Sequence, residues 1–126
     1  MASAALHTVI ETPSFLSDSK KLLDDNEREA LVNFLSSNPC AGDLIKGTGG
    51  IRKIRWAKED VGKSGSYRVI YFFYSMDIPL FILNIFAKNE KTNVSQAERN
   101  ELKKLTGLLV KQYHKKGINY ERKTNS

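Results

Sequence analysis

The sequence has too little cysteine and too short an apolar run for several classes of protein. Its single cysteine, Cys40, among 126 residues excludes an intramolecular disulfide and a metal site made of several cysteines. The longest apolar stretch, residues 78–85, contains Asn84 and is far shorter than the roughly 20 residues that span a membrane. Residues 1–11 lack the basic region and the long apolar stretch of a secretory signal. We therefore expect a cytosolic protein without membrane contact.

Composition favours one folded domain. Hydrophobic residues make up 40% of the chain, and three prolines with eight glycines are too few for a wholly disordered sequence. The segment 115–126 has almost no apolar residues, which is typical of a disordered tail. The sequence therefore predicts a single domain over residues 1–114 and a basic tail after it.

Positive charge is concentrated in the second part of the chain. Three basic and six acidic groups give residues 1–40 a charge of −3, whereas 17 basic and eight acidic groups give residues 41–126 a charge of +9. Such an excess favours a polyanion as partner, either nucleic acid or an acidic protein segment. An ordinary basic surface explains the charge equally well.

Hydrophobic periodicity predicts an α+β domain with the element order β-α-α-β-β-β-α. Asp24 with Glu27, and Ser95 with Glu98, have the spacing of capping boxes that begin helices. Two N-terminal helices and one C-terminal helix are expected to cover a curved antiparallel sheet. The predicted strands are residues 7–11, 51–57, 66–75 and 80–87, and the last helix is expected to bury Leu102, Leu105, Leu109 and Tyr113.

A loop over residues 41–50 contains Gly47, Gly49 and Gly50 and is only superficially like a phosphate-binding loop. Walker loops end in Gly-Lys-Ser/Thr at the start of a helix, whereas a predicted strand follows here. We therefore exclude a nucleotide-binding loop.

Cations lie along the predicted strands. Lys53 and Arg55 project from the same face of one strand, Arg68 is the lone charge in a strongly apolar strand, and Lys88 and Lys91 flank the end of the next. If these strands are neighbours, the cations converge on one concave face. An acidic partner is the ordinary explanation for a buried arginine such as Arg68. Five cations without acids between them would repel one another, which favours a phosphate as their ligand.

Aromatic residues near these cations have two explanations. Trp56 shares the apolar face of Ile54, and Tyr67 adjoins Arg68. Such residues usually belong to a core, but each could instead stack on an unpaired base. Trp56 and Tyr67, together with Arg52 and Asn89, are the candidate RNA-binding residues.

Three strings of the sequence resemble one family of small toxins. They are IRKIRWA from residue 51, GSYRVIYFFY from residue 65 and LFILNIFAKNEKTNVSQAERNELKKL from residue 80. In this order they resemble the RelE superfamily of type II toxin–antitoxin toxins, above all its HigB-like branch, over residues 8–112. The resemblance implies a RelE-like toxin fold that cuts mRNA in the ribosomal A site and is held inactive by a cognate antitoxin.

The resemblance also implies roles for the cations, with Lys53, Arg55, Arg68, Lys88 and Lys91 as catalytic candidates. The RNA 2′-OH would attack the adjacent phosphorus without a metal or other cofactor, and Arg68 would stabilise the phosphorane. Lys53 could act as base if neighbouring cations lower its pKa. Lys88 or Lys91 could orient the phosphate or protonate the leaving oxygen.

Two positions depart from the family pattern. Asn89 stands where several relatives have an arginine, and Ser95 stands where some have a catalytic tyrosine. These departures keep open an alternative function: a non-catalytic basic RNA-binding module, or a degenerate toxin that acts through antitoxin and operator binding.

The expected partners are a cognate antitoxin, the ribosome and mRNA, with operator DNA contacted only through the antitoxin. The outer face of the last helix could contact ribosomal RNA phosphates, or it could be an ordinary solvated surface. The candidate ribosome contacts are Arg99, Lys103, Lys104 and Lys111.

Overall fold

A computed structural model of the chain describes residues 7–57, 66–87 and 94–125, with side chains to residue 113. The strands are β1 (Val9–Glu11), β2 (Asp43–Leu44), β3 (Ile51–Ala57), β4 (Ser66–Phe72) and β5 (Leu80–Ala87). The helices are α1 (Pro13–Leu22), α2 (Asp25–Ser37) and α3 (Gln96–Asn125). The α+β class and the order of the predicted elements are confirmed.

The described strands form one mixed sheet in the order β1-β5-β4-β3-β2. The pairs β2–β3, β3–β4 and β4–β5 are antiparallel, but β1 pairs with β5 in parallel. The expectation of an antiparallel sheet was therefore wrong at one edge. The reason is that α1 and α2 separate β1 from the rest of the sheet, so β1 is not the arm of a hairpin.

Side-chain caps fix where each helix begins. The Thr12 hydroxyl accepts from the Phe15 N–H at 3.3 Å, and Pro13 follows at the first helical position. Asp24 and Glu27 form the predicted capping box, with reciprocal hydrogen bonds of 2.7 and 2.8 Å. The predicted Ser95–Glu98 box likewise begins α3, with bonds of 3.0 and 3.1 Å. The polar spacing in the sequence was thus sufficient to locate these starts.

The sheet is covered on both faces. Phe15, Leu31 and Leu35 of α1 and α2 pack on one face, against β4 and β5 residues such as Tyr71 and Ile82. The other face carries a second apolar cluster that includes side chains of α3. Its members include Ile51, Ile70, Phe72, Phe81 and Leu83, with Leu102, Leu109, Val110 and Tyr113 from the helix. The central strand β4 is therefore buried on both sides, as its apolar sequence predicted.

Helix α3 differs from its prediction in two ways. Leu105 is 40% exposed, and Thr106 is buried instead, with its hydroxyl donating to the Thr48 carbonyl at 2.8 Å. The 45–50 loop lies against the helix at this point, and a side chain at Gly49 would place its Cβ 2.5 Å from the Thr106 Oγ1. This close approach, together with a φ of +78°, explains the glycine without any phosphate.

The α3 backbone also continues to Asn125, through the segment predicted as a disordered tail. The Lys, Arg and Glu residues of this segment are good helix formers, which the composition argument did not weigh. A domain boundary at residue 114 stays a prediction. None of the described helices is long and apolar enough to cross a bilayer.

The Tyr71 hydroxyl fastens the 39–42 loop to the sheet. It accepts from the Gly42 N–H at 2.8 Å and donates to the Pro39 carbonyl at 2.8 Å. Burial raises the pKa of Tyr71, so the phenol stays protonated and keeps its donor at neutral pH.

Replacing this hydroxyl tests its contribution. We expect Tyr71→Phe to lower the free energy of unfolding by about 1–3 kcal/mol, because it leaves a buried N–H without its acceptor. Tyr74→Phe is the control, since Tyr74 is 55% exposed. Urea unfolding of both variants measures the difference, and equal stability of the two would contradict this assignment.

Candidate functional site

A cavity of about 440 Å³ lies between the sheet and the N-terminal part of α3. Its walls are lined by side chains from α1, from β3, β4 and β5, from α3 and from Val94, two residues before α3. The described lining residues are Asp18, Lys53, Arg68, Ile70, Asn84, Phe86, Val94, Glu98, Glu101 and Leu102. It therefore combines cations, carboxylates and an apolar floor.

Lys53 and Arg68 come together in this cavity, as the sequence predicted for cations on neighbouring strands. Lys53 lies opposite Ile70 in the β3–β4 ladder. Arg68 is two residues before Ile70 on β4, so its side chain projects from the same face of the sheet. Both side chains are half-buried. Neither side chain forms an ion pair with another described residue. The ion pair seen among the described residues joins Arg28 and Glu11, outside the cavity. The acidic mate proposed as the ordinary explanation for Arg68 is thus not among the described residues.

Arg55 stands directly opposite Arg68 in the β3–β4 ladder. Its side chain is exposed and is not among the residues lining the cavity. Like charges at directly opposed positions of a sheet destabilise it. The pair therefore places two positive charges side by side on this face of the sheet, at some cost in stability.

A β-bulge in β5 turns two more side chains into the cavity. The ladder pairs Ile70 with Asn84 and Tyr71 with Ile82, so Leu83 has no partner on β4. Asn84 and Phe86 consequently point to the same face as Leu83, instead of following strict alternation. The Asn84 amide donates to the Ser14 hydroxyl at 2.9 Å. Sequence alternation alone could not have located this bulge.

Carboxylates line the cavity beside the cations, which the sequence analysis did not predict. Glu98 and Glu101 come from α3 and Asp18 comes from α1. Their helical spacing gave no signal, because their position depends on how each helix packs on the sheet. Among the described residues, no three His, Cys, Asp or Glu side chains are grouped as metal ligands.

Three predicted site residues, Lys88, Asn89 and Lys91, lie outside the described residues. Their convergence with Lys53 and Arg68 stays a prediction.

The remaining RNA-binding candidates lie on the other face of the sheet. Trp56 packs against Phe34 of α2, with ring centroids 5.3 Å apart. The Tyr67 hydroxyl donates to the Leu22 carbonyl at 3.2 Å. Arg52 donates to the Gly42 carbonyl at 2.7 Å. These contacts correspond to the core explanation that the sequence analysis gave for the aromatic residues.

The predicted ribosome contacts divide into two kinds. Lys103, Lys104 and Lys111 are exposed on α3. Arg99 is half-buried, and its Nε is buried without a hydrogen-bond partner among the described residues. The three lysines therefore form an accessible basic surface on the part of α3 whose side chains the structure describes.

Comparison with known families decides what kind of protein carries this cavity. A family model described as the RelE toxin of the RelE/RelB toxin–antitoxin system matches residues 15–122. The chain belongs to the RelE toxin family. This match confirms the predicted superfamily and makes the protein a toxin of a toxin–antitoxin pair, whereas the HigB-like branch stays a prediction.

A solved structure of a mutant of the E. coli toxin RelE in the free state is similar to this RelE-family chain. The two share 19% sequence identity with a TM-score of 0.49. The similarity covers 67% of this chain and 85% of the other.

The opposed Arg55 and Arg68 give a stability prediction for this RelE-family toxin. We expect Arg55→Gln to raise the free energy of unfolding by about 0.2–1 kcal/mol, because it removes a like-charge pair across the ladder. Lys46→Gln, at an exposed loop position, is the control. Urea unfolding at low and high salt measures both variants. The gain should shrink as salt screens the repulsion, and a salt-independent loss of stability would contradict the argument.

Proposed function

We propose that this toxin is a ribosome-dependent endonuclease that cuts mRNA in the A site. The observation that carries the proposal is the pair Lys53 and Arg68, which line one cavity and form no ion pair with any described carboxylate, including those that line the same cavity. Unpaired cations in a half-buried position are costly for the fold, and an anionic ligand offsets that cost. A phosphodiester of single-stranded RNA is such a ligand.

The proposed reaction is an attack of the RNA 2′-OH on the adjacent phosphorus. The new bond closes a 2′,3′-cyclic phosphate, and the bond to the 5′-oxygen of the next nucleotide breaks. Negative charge grows on the phosphorane oxygens, and the planar guanidinium of Arg68 suits these oxygens because it donates in parallel to two of them. The side chains supply this positive charge themselves, so the proposed reaction needs no metal.

The proton transfers are assigned to the lysines. Lys53, which lines the cavity together with Arg68, is assigned to take the proton of the 2′-OH as the new bond to phosphorus forms. Lys88 or Lys91 gives a proton to the leaving 5′-oxygen or orients the phosphate. Because Asn89 and Ser95 depart from the family pattern, the acid–base roles of the relatives cannot be transferred whole, and this proposal assigns those roles to the lysines.

The partners follow from this proposal. A RelE-family toxin has an antitoxin partner, and the ribosome and mRNA are the proposed targets, which places the toxin in the cytoplasm. Exposed Lys103, Lys104 and Lys111 on α3 are proposed to contact ribosomal RNA phosphates. Operator DNA is contacted only through the antitoxin.

Removing the charge of either cavity cation tests the reaction. We expect Arg68→Met and Lys53→Met to slow cleavage of mRNA on programmed ribosomes by at least about 100-fold, the typical loss of one charge-stabilising group. Methionine keeps an unbranched apolar stem, so the sheet stays packed. Lys46→Met, at an exposed position outside the cavity, should cut at the wild-type rate.

The readout is the rate at which mRNA fragments with cyclic-phosphate ends accumulate with purified ribosomes. Wild-type protein that binds RNA and leaves it intact would contradict the proposal and support the alternative, a non-catalytic RNA-binding module or degenerate toxin. Cleavage that proceeds equally well in all three variants would remove the roles given to Lys53 and Arg68.

A further inference from the structure

The cavity is chemically divided in a way that a phosphate alone does not explain. Lys53 and Arg68 line it from the sheet, whereas Glu98 and Glu101 line it from α3. An anion is attracted by the first pair and repelled by the second. A ligand that fits both must carry negative charge at one end and hydrogen-bond donors at the other.

The remaining lining is apolar and aromatic. Ile70 and Phe86 of the sheet and Leu102 of α3 belong to the cluster on this face. Flat, partly apolar groups such as nucleobases bind between side chains of this kind, and single-stranded RNA presents its bases unstacked for that purpose. A volume of about 440 Å³ lies in the usual range of small-molecule sites.

Glu101 is the carboxylate best placed to read a base. It is exposed on α3, lines the cavity and has no hydrogen-bond or ion-pair partner among the described residues. Glu98 already accepts from the Ser95 N–H in the capping box, and Asp18 lies near the Asn84 amide at 3.5 Å. A free carboxylate accepts hydrogen bonds and cannot donate them.

We propose that the cavity binds one whole nucleotide of the RNA, with its phosphate on Lys53 and Arg68 and its base against Phe86, and that Glu101 selects bases with an exocyclic amino group. Adenine, cytosine and guanine donate through such a group, as in the pairing of Glu or Asp with the cytosine amine. Uracil offers carbonyl oxygens on both sides of its one ring N–H, and these repel a carboxylate. This inference rests on the proposed function for its substrate class, RNA.

Binding of single nucleotides tests the selection without any cleavage. AMP, CMP, GMP and UMP are titrated into the purified full-length toxin by calorimetry. We expect the three amino-bearing nucleotides to bind about fivefold or more tightly than UMP, which is the lower end of a good base contact. Equal affinity for all four would overturn the inference.

The variant Glu101→Gln distinguishes hydrogen bonding of Glu101 to the base from simple neutralisation of the charge on Lys53 and Arg68. The introduced amide can donate to a uracil carbonyl, so the ratio of the affinity for each amino-bearing nucleotide to the affinity for UMP should fall towards one. Glutamine is also a good helix former, so α3 is preserved. Glu29→Gln, at an exposed position of α2, is the matched control and should keep the wild-type preference. An equal gain in affinity for all four nucleotides would overturn the inference, because Glu101 would then only neutralise Lys53 and Arg68.

Cleavage on ribosomes, measured on the same proteins, distinguishes this inference from the proposed function. Nucleotide discrimination without mRNA cleavage would support the base site and contradict the endonuclease. Cleavage by a toxin that binds the four nucleotides equally would support the endonuclease and overturn the base site.

Discussion

The structure depends on one central strand, β4, which is bonded to a strand on each side and buried on both faces. Such a strand has little freedom to move, so the direction of each of its side chains is fixed by its neighbours. Arg68 is held in this strand and therefore enters the cavity at a defined place. A guanidinium in that position costs stability, and the cost is typical of residues retained for function. The family match, which makes the chain a RelE toxin, is consistent with a fold built around this strand.

Much of the fold followed from local sequence signals. The bounds of β3 and β5 were predicted as they stand, and the capping boxes at Asp24 and Ser95 gave the starts of α2 and α3. Features that depend on distant packing were missed. The two-residue strand β2 is too short to show a hydrophobic pattern. The parallel pairing of β1 depends on the path of α1 and α2. Leu105 is exposed because the 45–50 loop packs against Thr106 instead.

The cavity was predicted only in part, and for a related reason. Period-two alternation placed Lys53 and Arg68 on one face, because β3 and β4 are regular and adjacent. It could not place Asn84 or Phe86, since the bulge at Leu83 reverses their direction. It gave no sign of Glu101 either, because a helical residue reaches a sheet only through the packing of the helix. The cations in the sequence indicated a phosphate as the ligand of the cavity. The carboxylates, whose position only the structure shows, indicate that the base attached to that phosphate binds there as well.

The account depends on RNA lying in this cavity with a phosphate on Arg68, and NMR tests that point most directly. A short RNA with 2′-O-methyl groups lacks the attacking hydroxyl and so stays intact while it is titrated into the ¹⁵N-labelled toxin. The account predicts that the Arg68 Nε–H and the Asn84 side-chain amide shift with saturation, and that Arg68→Met abolishes the shift at Asn84. Shifts confined to the exposed lysines of α3, with Arg68 and Asn84 unchanged, would contradict it.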